Sequence, residues 1–548
     1  MIFNFFFLVL TIISFFGYSI LIKKLIFKVQ SDRLVINDYD LFFGFSLVFF
    51  LAFIFNIFLP LVYFTETFYI VGFILCFYFK NKINLDKKIL GFFLILLTIV
   101  FITYNSPVMY DTKLYHIQIL NWNSFYKLNF GLTNIEIRLG TNSFWQLILS
   151  IFNNPKYDLE LIFLLNCIPI SILINQFYFS DILKNRLSSI FLFACINFIL
   201  LFSIIHPNSN GLILNSVRSP EVDTVAMFFF IFSVYFFLKY FEENNNTNYN
   251  YCYIFSTLGA VTKISHIGLM IFPIILLFYT RGRINRVFFS CCVIYFIWII
   301  KSFIISGCWF FPIGITCYPY SEWSTSIKEI NLYSDIVSSY PRAHTAERSF
   351  MDFDYTLHSY QWVIPWIKTY FLATGFFIIF TTVVIISSFV YFFSYSKKKI
   401  KFYKKNMFYF FLIFYSVNFF IWFNAPELRY GYGVFITFCC IFFSYSFKII
   451  IEKYDLLKKF KILPLLLLLF LVFQNIKNLE FIYNIDQINF DNSNIVFFKK
   501  INGVDIYKSN AYHGFCNDFK DPCVVTQNDF QIKKNYGYNF FKSSSLLN

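Results

Sequence analysis

Charge is scarce in this chain. Asp, Glu, Lys and Arg make up only 14% of the residues, whereas 58% are hydrophobic, and the mean hydropathy is +0.62. A soluble globular domain carries roughly 25% charge, so that class is excluded. The 12 cysteines show no paired C-x-x-C spacing, which argues against a cysteine-ligated metal centre. Cys291-Cys292 and Cys439-Cys440 fall inside apolar runs and read as small buried hydrophobes. No basic residue precedes the first apolar run, and Lys23-Lys24 follow it. A cleavable signal peptide has its charges first, so this run is expected to stay as a helix. No internal repeat is visible. That absence speaks against a transporter built from repeated halves.

What is plentiful is Phe, with 84 residues. Ile, Asn, Lys and Tyr are also frequent, and all five have AT-rich codons. The Phe excess therefore reads largely as a compositional bias, and no single Phe is assigned a role. The net charge of +15 would suit a nucleic-acid partner if it were concentrated. It is instead spread in short clusters between apolar runs, as in the cytoplasmic loops of a polytopic membrane protein.

A membrane span needs about 20 apolar residues. Such runs are expected at 2–21, 41–60, 62–80, 89–104, 158–179, 187–205, 223–241, 287–305, 369–395, 407–424, 432–450 and 462–475. The interval 250–280 is too long for one span and is broken by Thr262-Lys263-Ile264-Ser265-His266. It reads as two short helices turning at Lys263. With that hairpin, the clusters at Lys23, Lys80, Lys184, Arg281, Lys397 and Lys453 all fall on one side. The expected architecture is an all-α polytopic membrane protein of about fourteen helices spanning 1–475. Both termini would lie outside, with a small external β-containing module over 476–548. In that module, Asn502-Gly503 between two alternating stretches predicts a hairpin. The long external loops would be 105–157 and 306–368. Two cysteine pairs are disulfide candidates if those regions meet an oxidising compartment, namely Cys308 with Cys317 and Cys516 with Cys523.

The stretch from Asn105 to Trp145 is the first long polar interruption, and Asp111 is its first acid. A carboxylate this close to the hydrocarbon boundary is a functional candidate. Asp111, Tyr115, Gln118 and Trp122 recur at helical spacing and would share one helix face. Such a face suits sugar handling. A solvated loop with an aromatic belt at the headgroups explains it equally well. Further charge gathers at other external helix ends. Ser219-Pro220-Glu221 followed by Asp223 suits a helix start, which leaves Arg218 unexplained. Lys263 sits between half-helices and reads either as an anion ligand or as a snorkelling side chain. Glu427 and Arg429 lie in a short loop and are expected either to pair or to face a ligand. Cations at headgroup level suit a lipid-linked phosphate, and a lone carboxylate suits a general base.

These elements resemble the GT-C superfamily of integral-membrane glycosyltransferases. More narrowly, they resemble a group of bacterial polytopic proteins associated with surface-polysaccharide gene clusters. The resemblance rests on D-T-x-L-Y-H-x-Q (Asp111 to Gln118), G-L-x-N with R-L-x-x-N-S-x-W (Gly131 to Trp145), S-P-x-x-D (Ser219 to Asp223), A-P-x-x-R-Y (Ala425 to Tyr430) and C-x-D…P-C (Cys516 to Cys523). It implies an inverting glycosyltransferase of the cytoplasmic membrane, with its active-site loops on the non-cytoplasmic face. The donor would be a polyprenyl-phosphate sugar, and the acceptor a surface glycan or lipid among the membrane lipids. Asp111 would be the base. Tyr115, His116, Gln118, Trp122, Arg138 and Asn142 would position sugar or acceptor. Arg218, Lys263 and Arg429 would hold the phosphate, with Glu221, Asp223 and Glu427 nearby. Many GT-C enzymes have two adjacent acids in this loop, whereas here Thr112 follows Asp111, so no metal or other cofactor is expected. The competing readings are a polysaccharide polymerase or ligase leaning on external arginines, and a lipid or glycan transporter.

Overall fold

Lipid offers backbone amides no partner, so an apolar run must satisfy them within its own helix. The computed structural model follows this rule. It describes residues 2–27, 34–79, 83–85, 88–104, 109–157, 159–179, 186–205, 217, 219–280, 284–373, 376–395, 405–482, 495–501, 504–509, 523–524, 530–535 and 538–543. Among these, eight helices are long and apolar enough to cross a membrane. They are Ile2–Leu25, Asp38–Phe58, Leu61–Phe79, Leu161–Tyr178, Leu187–Ile205, Asp223–Glu243, Arg286–Ser306 and Leu428–Lys448.

The described residues thus show a helical protein with eight candidate spans, fewer than the fourteen read from run length. Several runs are short or interrupted. Lys88–Thr103 has 16 residues, and the run over 369–395 begins in a π-helix, Lys368–Ala373, before Phe376–Tyr395. The break at Lys263 is present. Asn246–Thr262 ends there, Lys263 is extended at φ −147° and ψ 128°, and a 3-10 turn leads into Ile271–Tyr279.

The Asp223–Glu243 helix is the most enclosed part of the middle of the chain, with 89% of its apolar window buried. A left-handed Asn244 turns the chain into Asn246–Thr262, which packs back along it. Lys263 therefore returns beside Asp223. Leu428–Tyr454 packs on the same helix and brings its own first turn to the same end. Three helix ends converge there, two of them N-termini with the positive end of the dipole.

The first three helices meet at bare backbone. A Cβ on Gly17 would lie 2.1 Å from the carbonyl oxygen of Gly72, which is the small-residue contact that lets membrane helices approach closely.

In the segment after the Arg286–Ser306 helix, Cys308 and Cys317 form a disulfide. In the tail, Ile495–Ile501 pairs antiparallel with Val504–Ser509, as the Asn-Gly signal predicts, and Cys523–Val524 adds in parallel. Cys516 lies outside the described residues. A second hairpin, Phe530–Asn535 with Tyr538–Ser543, docks on the first loop. Phe541 N–H donates to the Phe130 carbonyl at 3.0 Å, and Asn134 Nδ2 donates to the Phe541 carbonyl at 2.8 Å.

Gly17→Val should force the first and third helices apart. Overpacking of this kind costs about 1–3 kcal/mol. A lower thermal unfolding midpoint of the purified protein is the expected result.

Candidate functional site

The converging helix ends hold a compact set of charges, with Arg429 at its centre. Its Nη1 lies 2.7 Å from Asp111 Oδ2 and 2.7 Å from Glu221 Oε1, and its Nε lies 3.7 Å from Asp223 Oδ2. Lys263 pairs with Asp223 and sits 3.7 Å above the centre of the Tyr430 ring. The helix-capping reading of Glu221 and Asp223 is thus incomplete. No side-chain cap bond forms at Val222, and both carboxylates are engaged by cations from elsewhere in the chain.

Local structure delivers each group. Residues Thr112–His116 form a π-turn that runs into Ile117–Phe125, with Asp111 at its head. The Thr112 hydroxyl bonds to the Ser219 hydroxyl, tying the first loop to the S-P segment. Asn166 donates to the Ser219 carbonyl and to that of Glu221 at 3.4 Å, and it accepts from the Trp145 indole. Glu427 does not pair with Arg429. Its Oε2 accepts from Tyr370 Oη at 2.9 Å, and its carbonyl accepts from Trp422 Nε1 at 2.9 Å.

The acids differ in character. Burial pushes the Asp111 carboxyl up, but the charge and the hydrogen bond of Arg429 outweigh it and leave it below its ordinary value. Glu221 goes the other way. Burial, reinforced by the Asp223 charge and only partly offset by Arg429, raises it to about 8. Its Oε2 is buried without a hydrogen-bond partner. Access differs too, since the Asp111 side chain is 16% exposed and that of Glu221 is 2% exposed. Burial lowers His116 to about 4, so its imidazole is neutral. Its Nδ1 accepts from Gln146 Nε2 at 2.7 Å. Donor atoms of Asp111, His116 and Glu221 lie within 4.8 Å of one another, a set that could ligate a divalent ion. The Arg429 guanidinium already bridges the two carboxylates, so a dication would have to displace it.

The other expected site residues divide. Tyr115 packs on His116 and lies under Arg138, which pairs with Glu136 at 2.8 Å. Asn142 Nδ2 donates to the Trp298 carbonyl at 2.6 Å. Gln118 is buried, and Trp122 lines a separate cavity beside Lys301. Asp111 and Trp122, expected on one face, thus lie at different places, the first on Arg429 and the second at the cavity beside Lys301. Arg218 lies outside the described residues. Asn166, Tyr370 and Tyr430 were not anticipated. Asn166, a polar residue in the apolar run over 158–179, was the available signal for that position.

Residues 1–436 match the model of a protein family described as a domain of unknown function, DUF8201. The chain belongs to this family. No curated protein and no solved structure matches it. Every residue of the DUF8201 charge cluster, from Asp111 to Arg429, lies inside the matched segment, and the β-stranded tail lies beyond it.

Arg429→Met leaves three buried or half-buried carboxylates with one ammonium. Removing one partner of such a set costs about 3–5 kcal/mol, seen as a lower unfolding midpoint. Glu221 binds its proton more tightly when folded, so its contribution is complete below its ordinary 4.5 and is lost as pH rises through about 8. Glu221→Gln should flatten the fall in stability over that window, measured by thermal unfolding across pH.

Proposed function

We propose that the protein is a membrane glycosyltransferase. It would move a sugar from a polyprenyl-phosphate donor to a surface glycan or lipid acceptor on the outer face of the cytoplasmic membrane. The observation that carries this reading is the placing of a reachable first-loop carboxylate, Asp111, against two cations, Arg429 directly and Lys263 through Asp223, where membrane helices end.

The chemistry needs a base and an anion holder. An acceptor hydroxyl attacks the anomeric carbon, its proton passes to a carboxylate, and the bond to the donor phosphate oxygen breaks. In the arrangement described, Asp111 is held by Arg429 and is a weak base. A donor phosphate is a strong partner for a guanidinium. On this reading it draws Arg429 and Lys263 toward itself, and Asp111 regains basicity as the pairing loosens. Base activation would then depend on donor binding.

The transport reading has one observation in its favour. Charges are paired across helix ends beside a broken helix at Lys263, as in sites that rearrange around a cargo. The polymerase or ligase reading loses one of its external arginines, since Arg342 is spent on the carbonyls of Thr356, Phe423 and Asn424.

The test is the surface-glycan profile of cells carrying wild type or Asp111→Asn at matched membrane levels. Loss of a general base costs about 10²–10⁴-fold in rate, so the mutant glycan should lack the added sugar. An unchanged glycan overturns the proposal. Cargo flux without new bond formation moves the assignment to transport.

A further inference from the structure

A second buried cation lies away from this cluster. Lys301 is in the Arg286–Ser306 helix and is 3% exposed. Among the described residues it has no ion pair and no hydrogen-bond acceptor. It lines a cavity with Trp122, Asn123, Thr141 and aliphatic side chains that include Leu132 and Leu139. The Trp122 indole N–H is likewise buried without an acceptor.

The other polar groups of the wall are already engaged. Asn123 Nδ2 donates to the Ile119 carbonyl and to Ser150, and Thr141 bonds to Tyr333. The wall thus offers two kinds of unused donor and no opposing charge. A buried ammonium without a counter-charge is strongly disfavoured.

The first loop is fastened around this point. Trp298 Nε1 donates to the Asn142 carbonyl at 2.9 Å, Thr133 donates to the Ile305 carbonyl at 3.1 Å, and Gly131 N–H donates to the Ile304 carbonyl at 3.0 Å. These bonds hold Lys301 and Trp122 against one void.

We propose that this void binds a small monovalent anion of chloride size between the Lys301 ammonium and the Trp122 indole N–H. Size and chemistry agree. The void has room for a bound body about the size of one water. A phosphate would bring several oxygens needing donors that the aliphatic wall lacks, whereas a weakly hydrated halide tolerates methyl groups. The site is separate from the charge cluster, since its lining includes none of Asp111, Glu221, Asp223, Lys263 and Arg429. It does not rest on the glycosyltransferase reading.

The test is thermal unfolding of the purified full chain at constant ionic strength, with sodium gluconate replaced stepwise by sodium chloride or bromide. A ligand that binds only the folded state raises the midpoint as it saturates. A saturable rise of several degrees is expected in wild type, absent in Lys301→Met and needing about tenfold more halide in Trp122→Phe. Equal midpoints in gluconate and chloride overturn the proposal, as does a halide response that survives in Lys301→Met. If Lys301→Met does not fold, the wild-type titration and Trp122→Phe decide. An unchanged halide midpoint concentration in Trp122→Phe counts against the site.

Discussion

A single guanidinium holds the charge cluster of this protein together. Asp111 comes from the first loop, Glu221 and Asp223 from the start of a central helix, and Arg429 from the start of a late one. Carboxylates brought together in a buried site repel one another and lose hydration. Arg429 offsets both effects, because its planar donors can serve several oxygens at once. Lys263 supplies the second positive charge only because its helix breaks at that point. The two helix N-termini add their dipoles in the same sense.

The cluster sorts its acids by access and proton affinity. Asp111 is charged and reachable, whereas Glu221 is buried and tends toward its neutral form. Neighbouring carboxylates pushed apart in this way are a common arrangement where proton transfer is needed. A purely structural ion network can produce the same separation, which is why the decisive readout is chemical.

Much of the architecture was legible from short-range signals. Polar residues in an apolar interval marked the break at Lys263, and Asn502-Gly503 marked the tail hairpin, because both are local effects. The S-P-x-x-D and A-P-x-x-R-Y motifs marked residues that do meet. Their partners were not legible. The pairing of Arg429 with Asp111 rather than with Glu427 depends on how distant helices pack, which no local pattern encodes. The spacing of Asp111, Tyr115, Gln118 and Trp122 assumes a regular helix, whereas Thr112–His116 is a π-turn. Among the described residues eight helices are long and apolar enough to span, because several of the other apolar runs are short or interrupted.

The docking of the last hairpin on the first loop has a consequence for the order of assembly. Phe541 packs against Trp122 and bonds to Phe130, so a segment synthesised much later than the first loop completes one of its walls. Until then that loop waits without one wall. The family match ends at residue 436, so the piece that closes this wall is carried by the part of the chain outside the shared region. A chain lacking this hairpin would leave the Trp122 and Phe130 side of its first loop uncovered.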